Sequence, residues 1–224
     1  MCGRFTLTMR ETEALAAELG VPVESLREYR PRYNIAPTDG HWIVRTKSED
    51  RELLPARWGF VNSWAKDRKR AARQINARAE TLASQPAFRD AFRQRRCVVP
   101  ADGFFEWTGP KNARQPLWFH RPDGGLLLLA GLYESWRPNP DEWERTFTII
   151  TTEANGLVGQ VHDRMPVILP DENVDAWLFA REEPAALRAM LVPPPDELLA
   201  IRKVSARVNS VREDDAGVLE EVER

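Results

Sequence analysis

Cysteine and histidine are scarce in this chain, and their scarcity excludes two whole classes of protein. The cysteines are Cys2 and Cys97, and the histidines are His41, His120 and His162. Two cysteines do not make the disulfide framework of a small secreted scaffold. No Cys/His cluster has the spacing of a zinc site, so neither a structural metal nor a cofactor is expected. Cys97 lies in the apolar run CVVP and reads as a small buried hydrophobe. Long apolar runs are missing too. Nothing approaches the roughly 20 residues that cross a bilayer, and the longest run, around Leu126 to Ala130, suits a buried strand. The first residues, MCGRFTLTMRETEALAAELG, lack the apolar region and cleavage pattern of a secretory signal. The expected location is cytoplasmic, with no membrane partner. A net charge of −2 excludes a uniformly basic polyanion binder. No repeat of solenoid period is visible.

What is present fits a soluble α+β protein. The 224 residues, 42% hydrophobic and 29% charged, suffice for one domain with a substantial core. A single domain over residues 1–224 is expected, with the acid-rich segment 213–224 as a flexible tail. A short helix over residues 9–19 should stop at Gly20. YRPRYNIAPTDG reads as an ordered loop, HWIVRT and LLPARWGF as strands, and 62–76 as an irregular basic loop containing Trp64. Arg78–Ser84 and Pro86–Arg95 read as helices. From Arg96 strands dominate: RCVVPADGFFEW, QPLWFHR, LLLLAGLYESW and RTFTIITTEA, with Asp123-Gly124-Gly125 as a hairpin turn between the second and third. MPVILP and LLAIRKVS are further strands, and 171–179 and 184–191 further helices. Strands with irregularly placed helices predict a mainly antiparallel, barrel-like β core flanked by helices.

The charge is unevenly spread. Between Arg57 and Arg96 eleven basic residues face only Asp67, Glu80 and Asp90. Such a stretch is either a phosphate-binding face or a solvated one.

Four short motifs carry chemistry. In MCGRF, Cys follows Met1, and removal of Met1 leaves a 1,2-aminothiol. Its free amine titrates at roughly 7.7–8.0 and its thiol at about 8.5, so both have nucleophilic forms near neutral pH. Such a group condenses with an aldehyde to an imine, which the thiol closes to a thiazolidine. An incidental cysteine is the alternative. In GFFEW, Glu106 sits among aromatics on a predicted strand, where burial raises a carboxyl pKa and suits it to acid and base work; otherwise it is a solvated edge residue. In VHDRMPVIL, His162 can supply protons and Arg164 can fork onto a phosphate, though a lone histidine is often structural. In INARAET, Asn76 can orient an amine or a sugar hydroxyl and Arg78 can hold phosphate, or the segment simply starts a charged helix.

Taken in order, MCGRF, RYNIAPT, RWGF with SWA, INARAET, CVVPADGFFEW, TTEAN and HDRMPVIL resemble the SRAP family of abasic-site processing proteins over residues 2–212. The resemblance implies a covalent cross-link to abasic sites in single-stranded DNA, and at single-strand/duplex junctions, by a monomer that is nucleoid-associated when bound. It implies Cys2 as nucleophile, Asn76 as its orienter, Glu106 as proton carrier and His162 as a helper in proton transfer and reversal. Arg4, Arg78 and Arg164 would take flanking phosphates, Trp64 and Trp107 would stack on bases, and Asn34 and Pro37 would border the site. Two rival readings use the same residues: an N-terminal-nucleophile cysteine peptidase or amidohydrolase built from Cys2, His162 and Glu106, and a non-catalytic single-strand-binding module.

Overall fold

The computed structural model describes residues 2–69, 71–139, 141–179 and 184–222. The expected removal of Met1 and the last two tail residues fall outside that range. The strands are β1 (Phe5–Leu7), β2 (Arg32–Ile35), β3 (Gly40–Lys47), β4 (Asp50–Trp58), β5 (Asn76–Arg78), β6 (Arg96–Ala101), β7 (Gly103–Thr108), β8 (Gln115–His120), β9 (Leu127–Asn139), β10 (Glu142–Glu153), β11 (Arg164–Pro166) and β12 (Ala200–Lys203). The helices are α1 (Thr12–Leu19), α2 (Arg89–Gln94), α3 (Asp171–Phe179) and α4 (Pro184–Ala189). None of the described helices is long and apolar enough to cross a membrane.

Two sheets share the strands. In the larger, the order β10-β4-β3-β6-β9 closes on itself because β9 also pairs β10, giving a five-stranded barrel. β5 and β11 extend from β10, and only the β10–β4 and β10–β5 pairings are parallel. The smaller sheet, β12-β8-β7-β1-β2, is antiparallel throughout. The α+β, barrel-centred expectation therefore holds. Closure depends on Gly131, which lies opposite Cys97 on β6 and Ile149 on β10. A Cβ there would sit 3.0 Å from Cys97 Sγ, Val99 Cγ2 and the Thr148 carbonyl, so a larger side chain would hold the strands apart. α1 stops at Gly20, whose φ of 65° is left-handed, as the sequence predicts.

Several expectations are corrected. RCVVPADGFFEW is two strands in different sheets. Asp102 breaks it, accepting hydrogen bonds from Thr6 Oγ1, Thr8 N–H and Thr8 Oγ1 and so binding β1 at the crossing point. The Asp123 turn is real, with its carboxylate held by Arg121 and Gly125 N–H, but it makes no hairpin. β8 pairs β7 and β12, whereas β9 pairs β6 and β10. The segment 78–84 is not a helix but a single 3₁₀ turn at Ala79–Thr81, because Asn76–Arg78 are drawn into pairing with β10. α2 begins at Arg89 rather than Pro86. The acidic tail is packed as far as residue 222. Asp214 accepts the N–H groups of Tyr33 and Asn34 and pairs with Arg32, and Val218 is fully buried against Phe105, Trp118, Val204 and Val208. Asp214 is thus a docking group, and Glu213 and Asp215 pair with Arg207, while Glu220 and Glu221 stay exposed.

His41 of β3 is buried edge-on to Phe5, with Nε2 donating to the Pro100 carbonyl at 2.8 Å. Burial lowers its pKa to about 4 from 6.5. Between those values the unfolded chain takes up a proton that the folded chain refuses, so stability falls as pH drops below 6.5. The loss approaches about 3 kcal/mol at pH 4, at about 1.36 kcal/mol per unit. Urea unfolding at pH 7 and pH 4.5 should show the wild type losing clearly more stability than His41→Gln, which cannot ionise. Equal losses would remove His41 as the cause.

Candidate active site

The N-terminus is threaded into the smaller sheet between β2 and β7. Phe5 lies opposite both Ile35 and Phe104, and Phe105 N–H donates to the Arg4 carbonyl at 3.0 Å. Continued backwards, this antiparallel register sets Cys2 and Gly3 beside Glu106 and Trp107, and beside the turn that follows Ile35. The barrel approaches from the other side. β5 runs parallel to β10 with Asn76 opposite Ile149, and Asn76 Nδ2 donates to the Cys2 carbonyl at 2.8 Å. That bond joins the two sheets at the residue the sequence singles out. Asn76 Oδ1 is buried with no hydrogen-bond partner among the described residues. A buried acceptor left open costs free energy, and here it is a ready place for an N–H or O–H donor.

Cys2 is fully buried, and burial, followed by the negative charge of Glu106, pushes its thiol up to about 12. Its Sγ points to the Arg4 carbonyl at 3.9 Å. Glu106 is buried on β7, and desolvation raises its pKa, opposed in part by the charge of His162 when protonated. Glu106 thus interacts electrostatically with both Cys2 and His162.

His162 lies between a 3₁₀ turn, Val158–Gln160, and β11. Its Nδ1 is 2.9 Å from Arg164 N–H and 3.0 Å from Asp163 Oδ1. These contacts compete, since a protonated Nδ1 cannot accept. The backbone N–H cannot turn away, while the Asp163 side chain is 86% exposed and has water as an alternative partner. The neutral ring therefore accepts at Nδ1 and carries its proton on Nε2. The four residues Cys2, Asn76, Glu106 and His162 come together where the two sheets meet. Among the described residues no group of three His, Cys, Asp or Glu side chains is placed to hold a metal ion.

The predicted nucleic-acid contacts fare unevenly. Arg4 stands two residues from Cys2, and its Nη1 donates to Asn34 Oδ1 and to the Val208 carbonyl, both at 2.8 Å. Trp107 follows Glu106, with its Nε1 on Asn209 Oδ1 at 2.8 Å. Pro37 sits half-buried in the turn after β2. Arg78 is exposed and makes no ion pair among the described residues. Trp64 is 72% exposed and lines a cavity of about 630 Å³ with Lys66 and Lys69. Asn34 is a correction. It is wholly buried, and its Nδ2 donates to the carbonyls of Val208, Ser210 and Glu213, so it ties down the C-terminal segment instead of bordering an open site. Arg164 forks onto Glu80 at 2.6 and 3.0 Å and also holds the Thr151 carbonyl. Glu80 was missed by the sequence reading, although it lies within INARAET.

The basic stretch is thinner than its composition implies. Arg57 and Arg68 share Glu144, Arg95 pairs with Glu134, and Arg96 is buried against the carbonyls of Phe92, Arg93 and Trp177. Lys66, Arg73, Arg78 and Arg93 remain exposed without an ion pair among the described residues.

Known proteins are similar to this chain over most or all of its length. A Bacillus subtilis abasic site processing protein, YoqW, is 38% identical over 98% of this chain and 99% of its own length. The Gallus gallus abasic site processing protein HMCES is 34% identical over 89% of this chain and 69% of its own. A crystal structure of a Bacteroides thetaiotaomicron protein superposes with a TM-score of 0.88 over 99% of this chain and 100% of that one, at 24% identity, which speaks to the fold. The family described as SOS response associated peptidase (SRAP) matches residues 1–211, and the chain belongs to that family.

Proposed function

We propose that the protein captures abasic sites in single-stranded DNA, and at single-strand/duplex junctions, by a covalent bond to Cys2 once Met1 is gone. The observation that carries this reading is the Asn76 bond to Cys2, which ties the barrel to the residue that interacts with Glu106, itself in electrostatic contact with His162. With Met1 removed, the Cys2 amine attacks C1′ of the ring-opened sugar aldehyde. The carbinolamine loses water to give an imine, and Glu106 supplies and recovers the protons. The thiol then adds across the C=N bond; sulfur bonds to C1′ and the thiol proton ends on nitrogen. The product is a thiazolidine, and one water is released overall. Holding the aminothiol against C1′ supplies effective concentration. Asn76 Oδ1 is available to accept from the freed amine or a sugar hydroxyl.

A cysteine peptidase activates its thiol with a neighbouring cation, whereas the side-chain charge that acts on Cys2 is the carboxylate of Glu106, which suits proton transfer to and from a carbinolamine. A binding module without catalysis leaves the buried Glu106 unexplained.

Intact-mass measurement after incubation with an abasic single-stranded oligonucleotide tests the reading. The expected species is the chain lacking Met1, plus the strand, less one water. Unmodified protein, or an adduct on a chain that keeps Met1, would refute it. Binding to intact single strands should be nearly indifferent to sequence and weaken with salt, at about 0.7 in the log–log slope per phosphate contacted. Titrations of several sequences at two salt concentrations measure both, and a strong base preference would contradict phosphate-led binding.

A further inference from the structure

The turn between β7 and β8 carries positive charge that this chemistry does not use. Gly109, at a φ of 91°, and the Ala113 N–H bond to the Pro110 carbonyl at 2.9 Å reverse the chain there. The tip presents Lys111 and Arg114, both exposed and neither in an ion pair among the described residues. Together with Arg4, Trp107, Asn112 and Asn209 they line a cavity of about 550 Å³, and no acidic side chain lines it. Elsewhere many arginines are matched: Arg57, Arg95, Arg164 and Arg207 each contact a carboxylate. Three cations around one acid-free hollow repel each other, and an anion relieves that repulsion. One wall is rigid. Arg4 is anchored through Nη1, which leaves Nε and Nη2 as donors, and Trp107 is anchored through Nε1. The other wall is two long, adaptable cationic side chains.

We propose that this cavity is an anion subsite for the backbone phosphates of the strand as it leaves the cross-linked residue. The inference rests on the function proposed above and adds the path of the substrate to it. The occupant is a nucleic-acid strand rather than a free anion because of where the cavity lies. Arg4 is two residues from Cys2 and Trp107 is next to Glu106, so the phosphates flanking a sugar held at Cys2 are the anions delivered there. Trp107 also offers a ring face to the adjoining base.

The test compares K111S/R114S with R27S/K47S, which removes the same two charges from exposed positions elsewhere. The probe is a single-stranded oligonucleotide with one abasic site. For K111S/R114S the salt slope of binding should fall by about 1.4, from about 0.7 per phosphate. R27S/K47S should keep the wild-type slope. Shortening the oligonucleotide on one side of the lesion should erase the difference between wild type and K111S/R114S, and shortening it on the other side should not. Wild-type affinity and slope in K111S/R114S, or equal losses in both variants, would overturn the subsite. Failure of the wild type to cross-link would instead overturn the proposed function, and the slopes on intact strands would still judge the cavity.

Discussion

Cys2→Ala should form no heat-stable adduct with abasic single-stranded DNA. Alanine, like cysteine, is small enough for Met1 to be removed, so the variant still presents a free α-amine in the same place. That amine can condense with the sugar aldehyde, but no thiol remains to close the ring, and an imine hydrolyses. Borohydride should therefore trap the variant on DNA in good yield, because reduction needs only the C=N bond. The expected pattern is complete loss of the spontaneous adduct with retention of the reduced one. Cys2 is fully buried, so its loss also removes a packed sulfur; a thermal melt beside the assay separates this from the chemistry. A heat-stable adduct in Cys2→Ala equal to that of the wild type would refute the thiazolidine and direct attention to another amine.

Some of this site can be read in the sequence and some cannot, and the division is physical. GFFEW announces a buried strand because its neighbours are aromatic, and a carboxyl among them has to be desolvated; Glu106 is buried and its pKa is raised. The meeting of Cys2 with Asn76 is different. It depends on β1 and β5 belonging to different sheets, and no local pattern states which sheet a three-residue strand joins. The same blindness explains the Asp123 turn. Its Asp-Gly-Gly chemistry specifies a reversal, but the pairing partners of β8 and β9 are chosen by the packing of the two sheets. Charge misleads in a related way. Composition counts Arg96 and Asp214 as surface charges, yet one is buried against helix-end carbonyls and the other holds the backbone of β2. Asn34 looks like a loop residue near a site, and only the three carbonyls around its amide reveal a structural role.

Glu106→Gln should slow cross-linking by about 10²–10⁴-fold, the usual contribution of a general acid–base group, while changing affinity for abasic DNA little. The amide keeps the shape but neither gives nor takes the proton that moves in carbinolamine breakdown and thiol addition. The final yield can recover with time, so single-turnover rates are the measurement. The same variant should be more stable than the wild type at neutral pH. Burial raises the folded pKa of Glu106 above its unfolded value. The folded state therefore holds a proton more firmly than the unfolded state, and stability falls as pH rises through the window between the two values. A neutral glutamine does not suffer that loss. Slower chemistry with a raised melting temperature is a combination that general misfolding cannot produce. In the wild type the acid limb of the pH–rate profile should lie above the ordinary carboxylate range, and in Glu106→Gln that limb should vanish. If His162 has the role that the resemblance implies, His162→Ala should leave capture largely intact and change strand scission or reversal, read as the fractions of cleaved strand and released adduct over time. An unchanged rate in Glu106→Gln would remove the carboxyl from the mechanism, and a lowered melting temperature would mark it as a structural group.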